Sequence, residues 1–463
     1  MKERQIQHLY WRSGFGIGAL ELSKLKTKSK TKLINKLINK NSNYEKLELD
    51  LSEFEAIKNK SARVLRKELG EKAFRELKQK SQRKVRNLNY AWIDRLSETN
   101  NTFREKMTLF WANVFVCRDN DIFHIQQYNN TLREYALGNF GDFVKAIAKE
   151  PSMSKYLNNR QNIKKSPNEN FARELMELFT LGVGNYSEND IKESARAFTG
   201  WSFNKKGKFN LRKKQHDFDS KTFFNKTGNF NGTDIIDIIL EQKQCARFIC
   251  EKIYTYFVNP TIDTERVEEI TTIFYKDYDI KNLMKYIFSS RWFYDEKNIG
   301  VKIKSPIELL IGIKKIVPFT FLKEKQLNYL QKMMGQVLLY PNNVAGWKGD
   351  RYWIDSNTLM FRMKLPSLLL NNAIINLEEK GDFEDDFNKY YSKIRKRNKF
   401  IKIEKDWNAF SLEYKKITPE KLKNILILSP LDIDTAGLLN NLEIKSNRNF
   451  CVQLMSIPEY QLC

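Results

Sequence analysis

The chain has 463 residues, 41% of them hydrophobic and 13% aromatic, which is ample length and apolar content to bury a core. Its formal net charge of +24 favours a phosphate- or carboxylate-bearing partner if gathered on one face, although abundant Lys, Asn and Ile also fit lysines scattered over solvated helices. No apolar run approaches the roughly 18 to 20 residues of a membrane span, and the five cysteines (Cys117, Cys245, Cys250, Cys451, Cys463) form no C-x-x-C pair, which argues against a spanning helix, a disulfide framework and a cysteine zinc site.

The opening MKERQIQHLYWRSGFG lacks the continuous apolar stretch of a secretory signal, so the expectation is a cytoplasmic protein with reduced thiols. Gly14-x-Gly16-x-x-Ala19 imitates a dinucleotide fingerprint, but Lys-rich helical text follows instead of a βαβ unit. It reads better as a glycine turn that lets His8 and Arg12 fold back on the core. From Leu20 to Arg86 apolar and Lys-rich positions alternate at helical spacing, predicting amphipathic helices. Thr102 to Tyr156 turns aromatic and apolar, predicting buried helices broken at Gly138 and Gly141.

Two helix starts are marked alike, Ser166-Pro167-Asn168-Glu169 and Ser305-Pro306-Ile307-Glu308, each reading as an N-cap Ser, a first-turn Pro and a capping-box Glu. Ser187-Glu188-Asn189-Asp190 is a weaker version. Between Gly200 and Phe230 the helical period fails, predicting a small hairpin turning near Lys206-Gly207 and then an ordered loop, the one β region expected. Helices resume to Phe288, the Trp-bearing loop Pro341 to Ser356 interrupts them, and Glu378 to Lys416 is a charged, insertion-like segment. The expected fold is all-α, a multi-helix globular body with a hairpin and ordered loop around residues 200–230. It divides loosely into a Lys-rich layer (20–100), a central core (102–260), helices with the Trp-rich loop (261–375) and a terminal part (376–463), all within one family-like domain.

The densest polar text is the helix predicted from Pro167 to Leu181. Asn170, Arg173, Glu174 and Glu177 fall at i, i+3, i+4 and i+7 and share one face, with Asn168 at its start. Facing a cavity, Glu174 and Glu177 could divide general acid and base roles or hold a divalent cation, with Arg173 as an anion clamp. Solvated, the same stripe would pair Arg173 with Glu177. His216-Asp217, with Lys221, supplies a candidate auxiliary base on a loop, and Arg196 a further cation. Glu169 has a capping role and ranks below both glutamates. No multi-histidine cluster predicts zinc or di-iron, and neither metal nor cofactor can be named from spacing. Trp201, Trp347 and Trp353 lie in loops where they could stack on sugars or pack inward.

Taken together, HLYWRSGFG from His8, REKMTLFW from Arg104, PNENFARELMELFTLGVGNYSENDIKESARAFTGW, HDFDSKTF, KSPIEL, MGQVLLYPNNVAGW and PEYQLC resemble the bacterial domain-of-unknown-function 1800 family over almost the whole chain. The resemblance implies a helical fold, a neighbouring sulfatase-like family (domain of unknown function 1501) and exported relatives. Where many relatives carry a His-rich F-W-H-N-H-F segment, this chain has Phe110-Trp111-Ala112-Asn113-Val114-Phe115. The polar residues themselves set the expectation of a hydrolase-like protein acting on a polar polymer such as a polysaccharide or another anionic polymer. Its catalytic groups would be Glu174, Glu177 and His216, and its binding groups Asn168, Asn170, Arg173, Arg196, Trp201, Asp217, Lys221 and Trp347. The alternatives are an accessory protein of a sulfatase-like partner and a nucleic-acid binder using Lys24 to Lys40 and Ile394 to Lys405.

Overall fold

A computed structural model describes residues 1–40, 44–371 and 401–463. Most of the charged 378–416 segment, and the basic stretch from 394 to 400, therefore fall outside the described residues. Contacts divide the chain into two compact units, one of residues 1–29, 294–337 and 348–463, the other of 30–293 and 338–347. Among the described residues the fold is predominantly helical, with three two-stranded antiparallel pairs.

The second unit is built on the aromatic text. Helices Thr102–Val114, Ile122–Tyr135 and Phe140–Ala148 pack around Trp111, whose ring meets Phe115, Phe140 and Phe143 and whose Nε1 donates to the Ala136 carbonyl at 3.0 Å. Within this core Glu105 accepts from Arg133 Nε at 2.5 Å and Trp92 Nε1 at 3.1 Å, so both halves of the buried ion pair keep their hydrogen bonds. Gly138 does separate two helices, but Gly141 lies inside one. A Cβ there would stand 2.7 Å from Leu240 Cδ1, so the glycine sits where two helices come close and not at a break. The Lys-rich layer includes helices Lys30–Lys40 and Ala62–Glu98, the latter interrupted at Gly70, where φ is 77°.

In the first unit, helix Glu3–Arg12 buries His8 and Arg12, as the glycine-turn reading required, with Gly16 at φ 98°. Helix Pro306–Ile316 starts as predicted: Ser305 Oγ accepts from Glu308 N at 3.3 Å, and Glu308 Oε2 takes Ser305 N–H at 2.6 Å and Lys302 Nζ at 2.9 Å. Lys304 is fully buried, its Nζ 4.0 Å from the Trp11 ring centroid and 3.7 Å from that of Tyr460. All five cysteines are free thiols and buried.

Two expectations about elements fail. Ser166 caps no helix: Ile163 and Ser166 form a bridge, Asn162 Oδ1 takes Asn168 N–H at 2.9 Å, and the helix begins only at Asn170 with Glu169 as its N-cap. The side chain of Asn162 supplies a tertiary anchor that overrides the local cap. The hairpin region is also not the only β structure. Trp201–Phe203 pairs with Phe209–Leu211 as foreseen, but Lys221–Phe223 pairs with Lys226–Gly228 and Phe319–Phe321 with Ile403–Lys405, the last two strands being too far apart in sequence for a hairpin signal.

Candidate functional site

The predicted polar helix is two elements. An α-helical turn, Asn170–Glu174, runs into a π-helix, Leu175–Thr180, in which Leu181 N–H reaches back five residues to the Met176 carbonyl at 2.8 Å and Thr180 Oγ donates to the Leu175 carbonyl at 2.6 Å. Phe171, Leu175, Met176 and Phe179 bury the inner side and leave Glu174 and Glu177 half-buried on the outer one. Burial, and then the charge of Glu177, raise the Glu174 carboxyl above its ordinary value, with Arg173 partly opposing. Tyr186 donates to Glu177 Oε2 at 2.9 Å, and burial followed by that bond pushes its phenol up to about 12.

Arg173 does not pair with Glu177. It donates to Glu169 Oε2 at 3.1 Å and, through both terminal nitrogens, to Glu188 at 3.1 and 3.2 Å. The reason is geometric: Glu188 opens the next helix, Glu188–Ala197, and presents both oxygens to the flat guanidinium fork. Asn168 and Asn170 shape the entry to the turn, Asn168 Oδ1 accepting from Asn170 N at 3.1 Å. At the other end of helix Glu188–Ala197, Arg196 is held by Asp217 (2.8 and 3.4 Å) and Glu193 (2.9 and 3.1 Å). Lys221, buried, donates to the carbonyls of Asp217 and Asp219 at 2.8 Å each. Burial acts most strongly on Asp217, upward, yet the Arg196 and Asp219 hydrogen bonds and the charges of Arg196 and Lys221 together hold the carboxyl below its ordinary value.

His216 stands apart from this network. Its ring is 3% exposed and Nδ1 meets the Thr199 carbonyl at 2.7 Å. A carbonyl only accepts, so in the neutral ring Nδ1 carries the hydrogen and Nε2 is the basic nitrogen. Thr199 also takes the Asp217 N–H on its hydroxyl at 2.8 Å, which fixes the loop from both sides. His216 lines a partly open cavity of about 260 Å³ whose apolar wall is Trp201, Phe209, Leu211 and Phe218. The polar side is Lys149, Asn229, Asn231 and Thr233. Trp201 and Leu211 are direct cross-strand partners, which is why one hairpin contributes both to the same wall. Gly232 is fixed by the same ring: a Cβ there would lie 2.6 Å from Trp201 Cζ2 and 2.3 Å from Phe198 Cδ1.

Neither Glu174 nor Glu177 is among the residues lining this cavity. Of the residues read from sequence, His216 and Trp201 meet there, while Arg173, Arg196, Asp217 and Lys221 are joined in ion pairs and are not among its lining residues. Trp347 is buried at 4% exposure, its backbone clasped by Asn113, which accepts from Trp347 N at 2.7 Å and donates to its carbonyl at 3.0 Å. Trp353 is buried too. Among the described residues no three His, Cys, Asp or Glu side chains form a group able to hold a metal ion, and no helix is long and apolar enough to cross a membrane. The sequence reading missed Lys149, Phe209, Leu211, Phe218, Asn229, Asn231 and Thr233. The Asn231-Gly-Thr-Asp234 capping box is a local signal that the sequence reading did not use; Lys149 carried no signal.

A family model described as "Protein of unknown function (DUF1800)" matches residues 8–462. No curated protein matches the chain, and no solved structure does.

Proposed function

The chain belongs to the DUF1800 family, and from that premise we propose that it is a hydrolase-like enzyme that takes one ring-bearing unit of a polar polymer, such as a polysaccharide or another anionic polymer, into the Trp201–His216 cavity. One observation carries the reading: a buried imidazole, its Nδ1 bonded to the Thr199 carbonyl so that Nε2 is left to accept, belongs to a cavity wall that also offers aromatic rings, two amides and a hydroxyl. Aromatic faces suit the apolar faces of a sugar ring, and Asn229, Asn231 and Thr233 suit its hydroxyls. In the hydrolytic step His216 Nε2 takes a proton from water as the water oxygen bonds to the anomeric carbon and the glycosidic C–O bond breaks, the leaving oxygen taking its proton from solvent.

The test compares wild type with His216→Gln, in which the amide N–H can keep the bond to Thr199, on a panel of neutral and acidic polysaccharides. Wild type should release new chain ends and the variant about 10²-fold fewer or less, with polymer binding preserved. Equal release by both proteins, at unchanged circular dichroism, rules the reading out. Glu174→Gln run alongside reports on the acid pair: a comparable loss there would move the proton transfer to Glu174 and Glu177.

A second reading, a non-enzymatic accessory to a sulfatase-like partner, draws support from the saturation of the polar block. Arg173, Arg196 and Lys221 each already have carboxylate or carbonyl partners, as expected of a network that specifies the fold. Polymer binding without turnover by wild type would favour it.

A further inference from the structure

The cavity wall is electrically one-sided. Its lining contains one ammonium, Lys149, one imidazole, His216, and no carboxylate. Lys149 also differs from several basic side chains of the same unit. Lys145, a turn earlier, pairs with Asp237; Lys155 pairs with Asp119 and Asp121; Arg196 pairs with Asp217 and Glu193; Lys221 lies 3.8 Å from Asp217. Lys149 has no carboxylate within ion-pair distance among the described residues, and its Nζ stands 5.6 Å from the centroid of the Phe209 ring on the same wall. Half-buried beside aromatic carbon, its charge is screened less than that of an ammonium on an open surface.

The start of helix Gly232–Leu240 borders the same cavity, but its capping box already engages part of its donors. Asn231 Oδ1 takes Thr233 N–H at 2.7 Å, and Asp234 Oδ2 takes Asn231 N–H at 2.8 Å. Lys149 is the one ammonium among the lining residues, and so the full positive charge that a negative group would meet there.

We infer that the unit held in this cavity carries an anionic substituent, a carboxylate or a sulfate ester, and that Lys149 is the residue that recognises it. This rests on the reading of the cavity as the place where one polymer unit binds. His216 and Lys149 then divide the work, the imidazole taking a proton from water and the ammonium fixing which unit enters.

Titration calorimetry of the full chain at low salt tests it with three probes: trigalacturonate, its neutral methyl ester, and a sulfated neutral trisaccharide. Wild type should bind the carboxylate or the sulfate form at least about fivefold more tightly than the ester. Which anion is favoured sorts the two sources. Lys149→Gln should erase that preference, and Lys149→Arg should keep it. A wild type that binds charged and neutral forms equally overturns the inference while leaving the cavity reading in place. A preference that survives in Lys149→Gln overturns the assignment to Lys149. Binding of none of the three overturns the inference and the cavity reading together.

Discussion

At the scale of single residues, the informative groups are those whose partners are fixed by fold and not by neighbours in sequence. Glu150, directly after Lys149, shows this. It is 6% exposed, accepts from Thr131 Oγ at 2.6 Å and from Gln127 Nε2 at 3.1 Å, and burial drives its carboxyl up to about 7 against the pull of those two bonds. Its folded pKa lies above the unfolded value of about 4.3, so the folded state binds the proton more tightly. The contribution to stability is thus full below about pH 4.3 and is lost as pH rises through about 7. Glu150→Gln should flatten this, gaining on wild type by up to about 3 kcal/mol at pH 8 relative to pH 5. Thermal melts of both proteins across that window check it; parallel curves would contradict it. The depressed carboxyl of Asp217 works in the opposite sense, stabilising above about pH 3.9 and less as pH falls below it.

At the scale of elements, two identical-looking helix starts separate local from tertiary information. Both Ser166 and Ser305 precede Pro and stand three residues before Glu, yet only Ser305 caps a helix. Ser305→Ala should lower stability by about 1 kcal/mol, whereas Ser166→Ala should change it by less than about 0.5 kcal/mol. Denaturant midpoints of the two variants measure the difference, and equal losses would mean that Ser166 is a cap after all. The π-helical segment makes the same point. The spacing of Asn170, Arg173, Glu174 and Glu177 was legible as a shared face, but Arg173 turned to Glu169 and Glu188 because the next helix begins beside it. The Trp201 hairpin was legible because Lys206-Gly207 interrupts apolar text. Its role as a cavity wall was not, since Lys149 and Asn231 reach it from distant segments.

At the scale of the molecule, the unit formed by residues 30–293 and 338–347 is nearly continuous in sequence. Its ends are brought together: helix Lys30–Lys40 packs on helix Ile280–Ser289, and Lys30 Nζ donates to the Ser290 carbonyl at 3.2 Å. We expect a fragment of residues 30–293 to unfold in one cooperative transition. Its midpoint should fall below that of the corresponding transition in the full chain, because Asn89 loses the Leu338 carbonyl (2.7 Å) and Asn113 loses Trp347. Circular dichroism through a urea titration decides it, and the absence of any cooperative transition would show that the 338–347 segment is required for folding.

The sequence by itself determined the helical class, the hairpin at 201–211, the caps at Ser187 and Ser305 and the family, because periodicity, capping and turn chemistry are written in residues a few positions apart. Only the tertiary structure decided which polar groups share a cavity. The partner of Arg173, the orientation of His216 by Thr199, and the meeting of Lys149 with Trp201 and Asn231 join residues roughly 15 to 80 positions apart. Such pairings depend on how helices pack, and packing is set by the whole buried surface and not by any short stretch of text.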